Sequence, residues 1–444
     1  MLFKNQDQLI ANGQTPELQN KRKDVLEMLT AAIEAVDPYS SVKRLFKDNQ
    51  IVLDRRAVNL SDFDNIYVVG FGKASVGMAK AVCDSIAVAK AVIITNNPLQ
   101  KTIDEIDVFV GGHPIPTMGS IQGTENIIQV AEQCKENDLL IVLISGGGSA
   151  LLCKPRIDLK QMQKTTDLLL RCGADINEIN TIRKHLSLVK GGQLVKYARG
   201  YVLSLVISDI VNDPLEFIAS GPTVPDSTTF FDAQEILKKY ELWEKVPVNV
   251  KELIEEGISG KISETPKKED TIFKKTFNFI VANNEIACKN ILEKAESLGY
   301  DARLLSVSIT GEAKNKGLEL VSNVQSLLEE DQKIVFIAGG ETTVTVKGNG
   351  KGGRNQELVL GCVEKISGTD TVIASFATDG IDGNSDAAGA IADGYSLYRA
   401  KKKGYYPKKF LDENNSYDFF NHLNDLFLTG PTGTNVMDVQ LILH

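Results

Sequence analysis

A run of three glycines follows a strongly apolar stretch and is the most conspicuous candidate site in the sequence. The stretch Leu139–Ser145, apolar and β-branched almost throughout, predicts a strand that is buried on both faces. Glycines at this point let backbone N–H groups approach a phosphate or a carboxylate, and a helix that starts here would add a favourable dipole. The sequence therefore predicts an anion-binding cradle built from Ser145, Gly146, Gly147, Gly148 and Ser149.

A lysine lies in a second glycine turn, in the stretch GFGKAS. Gly72 precedes Lys73, which stands at a predicted helix start and could hold its cation against a phosphate. The stretch is not a Walker A loop, because Ala74 follows the lysine. It is also a poor dinucleotide fingerprint, since Ser75 stands where the third glycine would be and no acid follows the next strand.

An arginine lies in a third glycine loop, in the stretch GKGGRNQE. Arg354 directly before a helix suits bidentate binding of a carboxylate or a phosphate. We include the neighbouring residues Gly352, Gly353, Asn355 and Glu341 in this binding site.

Several aspartates stand where predicted strands end. Asp209 and Asp379 directly follow apolar strands, and Asp213 follows four residues after the first. Magnesium in phosphoryl transfer takes one or two carboxylates, and an aspartate can also accept a proton from an attacking hydroxyl. We assign Asp209 to catalysis and, with Asp379, to a metal, and Asp213 to substrate binding; an Asx turn or a helix cap is the alternative for each.

A basic segment, NTIRKHLSLVKGGQL, contains two further candidates for substrate contact. Arg183 and Lys190 are seven residues apart, which would place them on one face of a helix. A solvated basic face is the alternative. His113, in GGHPIPT, is interpreted as a structural loop residue.

These loops share a position, because each follows the carboxyl end of a predicted strand. Open α/β sheets bind ligands at that edge. The alternation of strand and helix predicts two α/β domains with mostly parallel sheets, a Rossmann-like N-terminal domain over residues 1–265 and a C-terminal domain over 270–444. The segment 257–275 is interpreted as the linker, 277–281 as the first strand of the second domain and 436–443 as an edge strand. Facing loops would place the active site in a cleft between the domains.

Composition narrows the class of protein. A chain of 444 residues with 49 basic and 58 acidic side chains has a formal charge of −9, which argues against nucleic acid as a partner. No apolar run reaches membrane-spanning length. Six scattered cysteines without CxxC spacing indicate reduced thiols in a cytoplasmic protein and no zinc site. A homodimer stays open.

Seven motifs together resemble the class II glycerate kinases, the glycerate 2-kinase family with a C-terminal MOFRL domain. They are GFGKAS, GGHPIPTMGS, LISGGGSALL, NTIRKHLSLVKGGQL, ISDIVNDPLEFIASGPT, GGETTVTVKGNGKGGRNQE and ATDGIDGNSDAAG. The resemblance implies ATP- and Mg²⁺-dependent phosphorylation of D-glycerate to 2-phosphoglycerate, with the site between two α/β domains. It also implies catalytic roles for Lys73 and Arg354.

Two other functions compete with this interpretation. A hydroxypyruvate reductase using NAD(P)H would act on the same three-carbon skeleton, but the incomplete dinucleotide fingerprint argues against it. A non-catalytic sugar-acid binding protein would need neither the acids nor two phosphate-type loops.

Overall fold

The computed structural model describes residues 1–53, 56–98, 102–103, 105–325, 327 and 333–444. Its contacts divide the chain into two compact units. The continuous unit comprises Pro38–Val281, and the discontinuous unit comprises Met1–Asp37 with Ala282–His444. We describe each unit by itself.

The strands of the described residues are short and mostly buried. They are β1 (Phe46–Lys47), β2 (Gln50–Leu53), β3 (Arg56–Asn59), β4 (Ile66–Phe71), β5 (Lys90–Thr95), β6 (Thr102–Ile103), β7 (Ile106–Val110), β8 (Leu139–Ile144), β9 (Tyr201–Ile207), β10 (Thr276–Ala282), β11 (Asp301–Ile309), β12 (Ile334–Gly340), β13 (Val372–Ala377), β14 (Gly389–Asp393), β15 (Leu426–Phe427) and β16 (Asp438–Leu443).

Helices connect most of these strands. They are α1 (Gln6–Ala11), α2 (Pro16–Ala35), α3 (Pro38–Lys43), α4 (Ser75–Cys83), α5 (Met118–Gln133), α6 (Gly148–Leu151), α7 (Leu159–Arg171), α8 (Ile176–His185), α9 (Phe230–Lys239), α10 (Val248–Ile258), α11 (Asn284–Ser297), α12 (Ala313–Gln325), α13 (Arg354–Cys362), α14 (Ser396–Lys402), α15 (Pro407–Asp412) and α16 (Ser416–Leu423).

A seven-stranded sheet organises the continuous unit, in the order β10-β9-β8-β4-β5-β7-β6. The pairs from β9 through β7 are parallel. From β4 the chain proceeds to β5 and β7, and it then returns across the sheet to β8 on the other side of β4. The strand order therefore reverses between β4 and β8, which is where ligands bind in open α/β sheets. The described helices α7 to α10 pack around a separate apolar core in this unit.

The sheet of the discontinuous unit has the order β11-β12-β16-β13-β14-β15. Among its described strands, β11 and β12 pair in parallel and the other neighbours pair antiparallel. The predicted α/β class is confirmed, but this sheet is mixed and not mostly parallel. The last strand, β16, was expected at the sheet edge and lies instead between β12 and β13. Its residues are buried throughout, as a central strand requires.

The units differ from the predicted domains 1–265 and 270–444. Strand β10, expected to open the second domain, extends the first sheet beside β9. The segment 257–275 does not link the two units, because it packs within the continuous one: the Thr265 hydroxyl is buried and donates to Asp226 (2.9 Å), and Glu264 accepts from the N–H of Phe230 (2.8 Å). Its polar composition hid these contacts.

The N-terminal helices belong to the discontinuous unit because α2 carries a fully buried arginine. Arg22 forms ion pairs with Asp393 (2.7 Å) and Asp425 (2.9 Å), and all three side chains are excluded from solvent. Arg399 also pairs with Asp425 (2.6 Å). An arginine in this helix gives no indication in the sequence of its distant partners.

Two further expectations can be compared with the fold. The six cysteines are free thiols, as predicted. In the described part of the chain, no helix has the length and apolar character needed to cross a membrane.

Arg22→Met should lower the free energy of unfolding by about 3–5 kcal/mol, because it leaves two buried aspartates short of a cation. Urea unfolding monitored by circular dichroism measures this change. Lys23→Ala is the matched control: its ion pair with Glu27 is exposed and long (3.8 Å), so a change below about 1 kcal/mol is expected. Equal stability of Arg22→Met and wild type would contradict the role assigned to the buried network.

Candidate active site

Two loops meet where the strand order of the continuous unit reverses. The N–H of Lys73, after β4, donates to the carbonyl oxygen of Gly146, after β8 (2.9 Å). The N–H of Ala74 donates to the hydroxyl of Ser145 (3.1 Å). The structure thus brings together the lysine turn and the triple-glycine loop, which the sequence presents 70 residues apart.

Gly72 makes this crossing possible. Its φ of +130° is disfavoured for residues other than glycine, and a Cβ there would overlap the hydroxyl and carbonyl of Ser145. The role of Gly72 is therefore to let the two loops approach. Ser145 is buried and its hydroxyl is used by the Ala74 amide, so it supports the cradle from below.

The triple-glycine loop is a cradle of backbone amides with only a short helix behind it. Gly147 is left-handed (φ 81°) and precedes α6, a single turn over Gly148–Leu151. Among the described residues, the amides of Gly146 and Gly147 donate to no other group. A one-turn helix has little dipole, so the groups of this loop that are available to an anion are these two amides.

Asp209 lies directly against the cradle. A Cβ at Gly146 would overlap Oδ2 of Asp209, so the glycine is required for the carboxylate to approach the backbone. Asp209 follows β9, the strand beside β8. The sequence predicted an aspartate at this strand end, and the structure brings it against the glycine loop.

His113 completes the polar lining, and the sequence interpretation missed it. A Cβ on Gly147 would lie 3.0 Å from Cδ2 of His113 and 3.5 Å from Cγ of Lys73, so all three residues meet. Burial, together with the charge of Lys73, lowers the pKa of His113. The imidazole is therefore neutral near pH 7. Its position just after the carboxyl end of β7 was the signal that could have identified it.

The segment after β9 contains two strained backbone regions. Asn212 and Asp213 have φ values of 64° and 52°, and Ala219 and Ser220 have values of 52° and 62°. Such left-handed conformations in non-glycine residues are concentrated at functional sites. The Ser220 hydroxyl lies 2.9 Å from that of Ser149 and donates to Oδ1 of Asn180 (3.0 Å), which links the cradle to α8.

Lys190 supports the cradle from within and does not line it. Its buried ammonium donates to the carbonyl oxygens of Ser149 and Leu152, both at 2.7 Å. Burial lowers the pKa of Lys190 to about 8, and the charge of Arg183 contributes to that decrease. The expected helix face shared with Arg183 does not exist, because α8 ends at His185 and the backbone turns through the left-handed Gly191 and Gly192.

The discontinuous unit holds Arg354, the first residue of α13. Its Nε and Nη2 donate to the two oxygens of Asp438 (2.6 and 3.0 Å), and its Nη1 donates to Glu341 (2.5 Å). Asp438 was missed because it starts β16, whose central place in the sheet the sequence did not reveal. Burial alone would lower the pKa of Arg354, but the carboxylates of Asp438 and Glu341 outweigh it and raise that pKa.

The residues around Arg354 are used mainly to shape the helix start. Asp382 accepts from the N–H groups of Asn355 (3.1 Å) and Gln356 (2.9 Å) and thus caps α13. Asn355 is buried and its side chain contacts Asp382 and Ser375. A Cβ on Gly353 would overlap Asp382, which explains the glycine. Gly352 donates its N–H to Asn384 (2.8 Å).

The two acids assigned to a metal belong to different units. Asp209 is in the continuous unit and Asp379 in the discontinuous one. Asp379 accepts from the N–H of Ile381 (3.0 Å), which is the Asx turn named as its alternative. Within the described residues, no group of three or more His, Cys, Asp or Glu side chains has the arrangement of a metal site.

Comparisons with known proteins identify the family. A family model described as a domain of unknown function, DUF4147, matches residues 24–255, and the MOFRL family model matches residues 334–438. A glycerate 2-kinase of Pyrococcus horikoshii is 43% identical over 427 residues, covering 94% of this chain and 96% of that protein. The chain belongs to the glycerate kinase family with a MOFRL domain.

Further members of the glycerate kinase family are similar to this chain in sequence and fold. A D-glycerate 2-kinase of Thermotoga maritima is 36% identical over 429 residues, covering 94% of this chain and 97% of that protein. The crystal structure of a glycerate kinase from the same organism matches with a TM-score of 0.86 at 35% identity, covering 96% of this chain and 99% of the other. The family predicted from the sequence motifs is confirmed.

Gly146→Ala should reduce kcat by ~100-fold, because the added methyl group must displace either the cradle or Asp209, and small misplacements of reacting groups are costly. Steady-state kinetics of the two proteins measures the loss. Gly299→Ala is the control: no atom lies within 4 Å of its Cβ position, so it should lose a little stability and keep its turnover. An unchanged kcat in Gly146→Ala would remove the cradle from the active site.

Activity should fall as the pH decreases through about 7. Burial raises the pKa of Asp438 to about 7, against the opposing charge of Arg354, so acid removes the negative charge that holds the guanidinium. Since the folded pKa lies above the unfolded one, ionising Asp438 also costs stability as pH rises from about 4 to about 7. In Asp438→Asn both the acidic limb of the kcat/KM profile and this part of the stability profile should disappear; retention of the limb would assign it to another group.

Proposed function

We propose that this protein is a glycerate 2-kinase that transfers the terminal phosphoryl group of ATP to O2 of D-glycerate and forms 2-phosphoglycerate with Mg²⁺ as cofactor. The observation that carries the proposal is the meeting of Lys73, the glycine cradle and Asp209 at the point where the strand order reverses. We infer the substrate from the relatives that are named glycerate 2-kinases. The six free thiols support a cytoplasmic location.

The cradle suits the phosphates of ATP. The amides of Gly146 and Gly147 bind phosphate oxygens, and Lys73 neutralises charge that develops on the transferring group. Phosphoryl transfer needs mainly positioning and charge stabilisation, which these groups supply. Ser75 argues against a dinucleotide, because its buried hydroxyl donates to the carbonyl of Gly72 (2.8 Å) where a fingerprint glycine would stand.

Asp209 is the carboxylate that would hold Mg²⁺. It lies against the cradle, and Mg²⁺ in phosphoryl transfer is bound by one or two carboxylates together with substrate phosphates. When bound, the ion would neutralise charge on the phosphate oxygens. Asp213, in its strained turn, adds a second acid four residues away. Asp379 stays a weaker candidate, because its carboxylate already forms an Asx turn.

His113 is suited to accept the hydrogen of the attacking hydroxyl. Its neutral imidazole lies beside Lys73 and Gly147, and the lysine charge disfavours protonation before the reaction. A weak base is adequate in this reaction, because the transition state is loose and catalysis depends mainly on positioning and charge stabilisation.

Arg354, in the discontinuous unit, is suited to bind an anionic group of the reactants. Asp438 fixes the guanidinium by two hydrogen bonds, whereas Glu341 contacts it through one and is itself 41% exposed in its side chain. We propose that an anionic group of the reactants displaces Glu341 from Nη1. Asp438 is then a positioning residue.

Product analysis by ³¹P NMR tests the reaction with pure protein, Mg-ATP and D-glycerate. A 2-phosphoglycerate signal is expected. A 3-phosphoglycerate signal would contradict the proposed orientation of glycerate, and no phosphorylated product from folded protein would reject the kinase. In that case oxidation of NADPH with hydroxypyruvate would assign the protein as a reductase.

Lys73→Ala should lower kcat by ~1,000-fold with the fold intact, because a cation on the transferring group contributes only in the transition state. Circular dichroism checks the fold, and a coupled ADP assay measures the rate. Lys80→Ala, an exposed lysine on α4, is the matched control and should keep full activity. Near-normal turnover in Lys73→Ala would contradict the catalytic role assigned to Lys73.

A further inference from the structure

Arg183 stands out among the buried and half-buried arginines because its side chain has no partner in the described part of the chain. In the described part of the chain its guanidinium makes neither an ion pair nor a hydrogen bond. The comparable side chains are all compensated: Arg22 by two aspartates, Arg354 by Asp438 and Glu341, Arg156 by Gln193 and a backbone carbonyl. An uncompensated, partly buried charge is costly, so a ligand is the natural partner.

Arg183 lies on a helix that is hydrogen-bonded to the cradle through Asn180 and Ser220. It lies on α8 one helical turn after Asn180, on the same face. Asn180 accepts from the Ser220 hydroxyl, which contacts Ser149 (2.9 Å) at the end of the triple-glycine loop.

Electrostatic coupling agrees with that placement. The charge of Arg183 works against the increase that burial causes in the pKa of the Cys153 thiol, and it helps to lower the pKa of Lys190. Cys153 follows directly on α6, and Lys190 donates to the carbonyls of that turn. Burial lowers the pKa of Arg183 itself.

We propose that Arg183 binds the carboxylate of the acceptor substrate, a small 2-hydroxy acid. This inference rests on the proposed function. The guanidinium fork pairs with a carboxylate through two parallel hydrogen bonds. We have already proposed Lys73 and the amides of Gly146 and Gly147 for the phosphates. Arg354 has only Nη1 left for a reactant, because its Nε and Nη2 donate to Asp438, so it cannot offer a carboxylate a second nitrogen.

A carboxylate bound to Arg183 on α8 would also select the reacting hydroxyl. In a three-carbon acid, O2 is one bond nearer to the carboxylate than O3. Holding the acid group on α8 therefore determines which oxygen reaches the phosphoryl group, and Arg183 becomes a specificity-determining residue.

The test compares D-glycerate with its neutral amide, D-glyceramide, in wild type, Arg183→Gln and Arg183→Lys of the full chain. Arg183→Gln should raise the KM for D-glycerate ~100-fold or more and leave the KM for ATP within ~3-fold. Its preference for glycerate over glyceramide should collapse, and Arg183→Lys should restore part of it. Arg171→Gln, an exposed arginine on α7, should behave as wild type.

Two outcomes would overturn the inference. A raised KM for ATP with an unchanged KM for glycerate would assign Arg183 to the phosphates, and unchanged constants for both would remove it from the site. Absence of glycerate phosphorylation in the wild type would instead reject the proposed function, so the two failures are distinguishable.

A stability measurement separates binding from a structural role. Because Arg183 is uncompensated within the described residues, Arg183→Gln should keep or raise Tm. Lys184→Met should lower it, since the neighbouring lysine is paired with the buried Asp226 (3.2 Å). A clear fall in the Tm of Arg183→Gln, with equal losses for both substrates, would make Arg183 structural and contradict the proposal.

Discussion

The close approach of two loops at the carboxyl ends of β4 and β8 is the constraint on which the candidate site depends. Gly72 must be a glycine for the lysine turn to pass Ser145, and Gly146 must be one for Asp209 to reach the backbone. These two contacts bring a cation, a row of amides and a carboxylate together. The reversal of strand order determines where this happens, because it separates the connections on the two sides of β4.

The remainder of the continuous unit holds that arrangement in place. Lys190 binds the carbonyls at the end of the cradle, and the pair Ser220–Asn180 ties it to α8. Of the residues with left-handed backbone, Ser220 is held by its hydrogen bonds to Ser149 and Asn180. Arg183 is left without an internal partner in the described chain, which is the expected condition of a residue kept for a ligand.

The discontinuous unit positions a second cation, the guanidinium of Arg354. Arg354 begins a helix capped by Asp382, and β16 brings Asp438 beneath it. The same unit includes the N-terminal helices because the charge of Arg22 is compensated by Asp393 and Asp425 from the far end of the chain. In both cases an arginine is held by a buried aspartate that is remote in sequence, and removing either partner would leave the other charge uncompensated, which is destabilising.

The sequence by itself determined the fold class, the family and the loops that carry the site, because buried strands and glycine turns are local patterns and the motifs are long. It also placed Lys73 and Asp209 after strand ends and Arg354 at a helix start. Tertiary structure alone decided which loops meet, since strand order is not a local property. It revealed His113 and Asp438, moved β10 and β16 to their places in the sheets and buried Lys190. It also separated Arg183, which has no partner in the described chain, from arginines of equal sequence character, because compensation of a charge depends on neighbours in space.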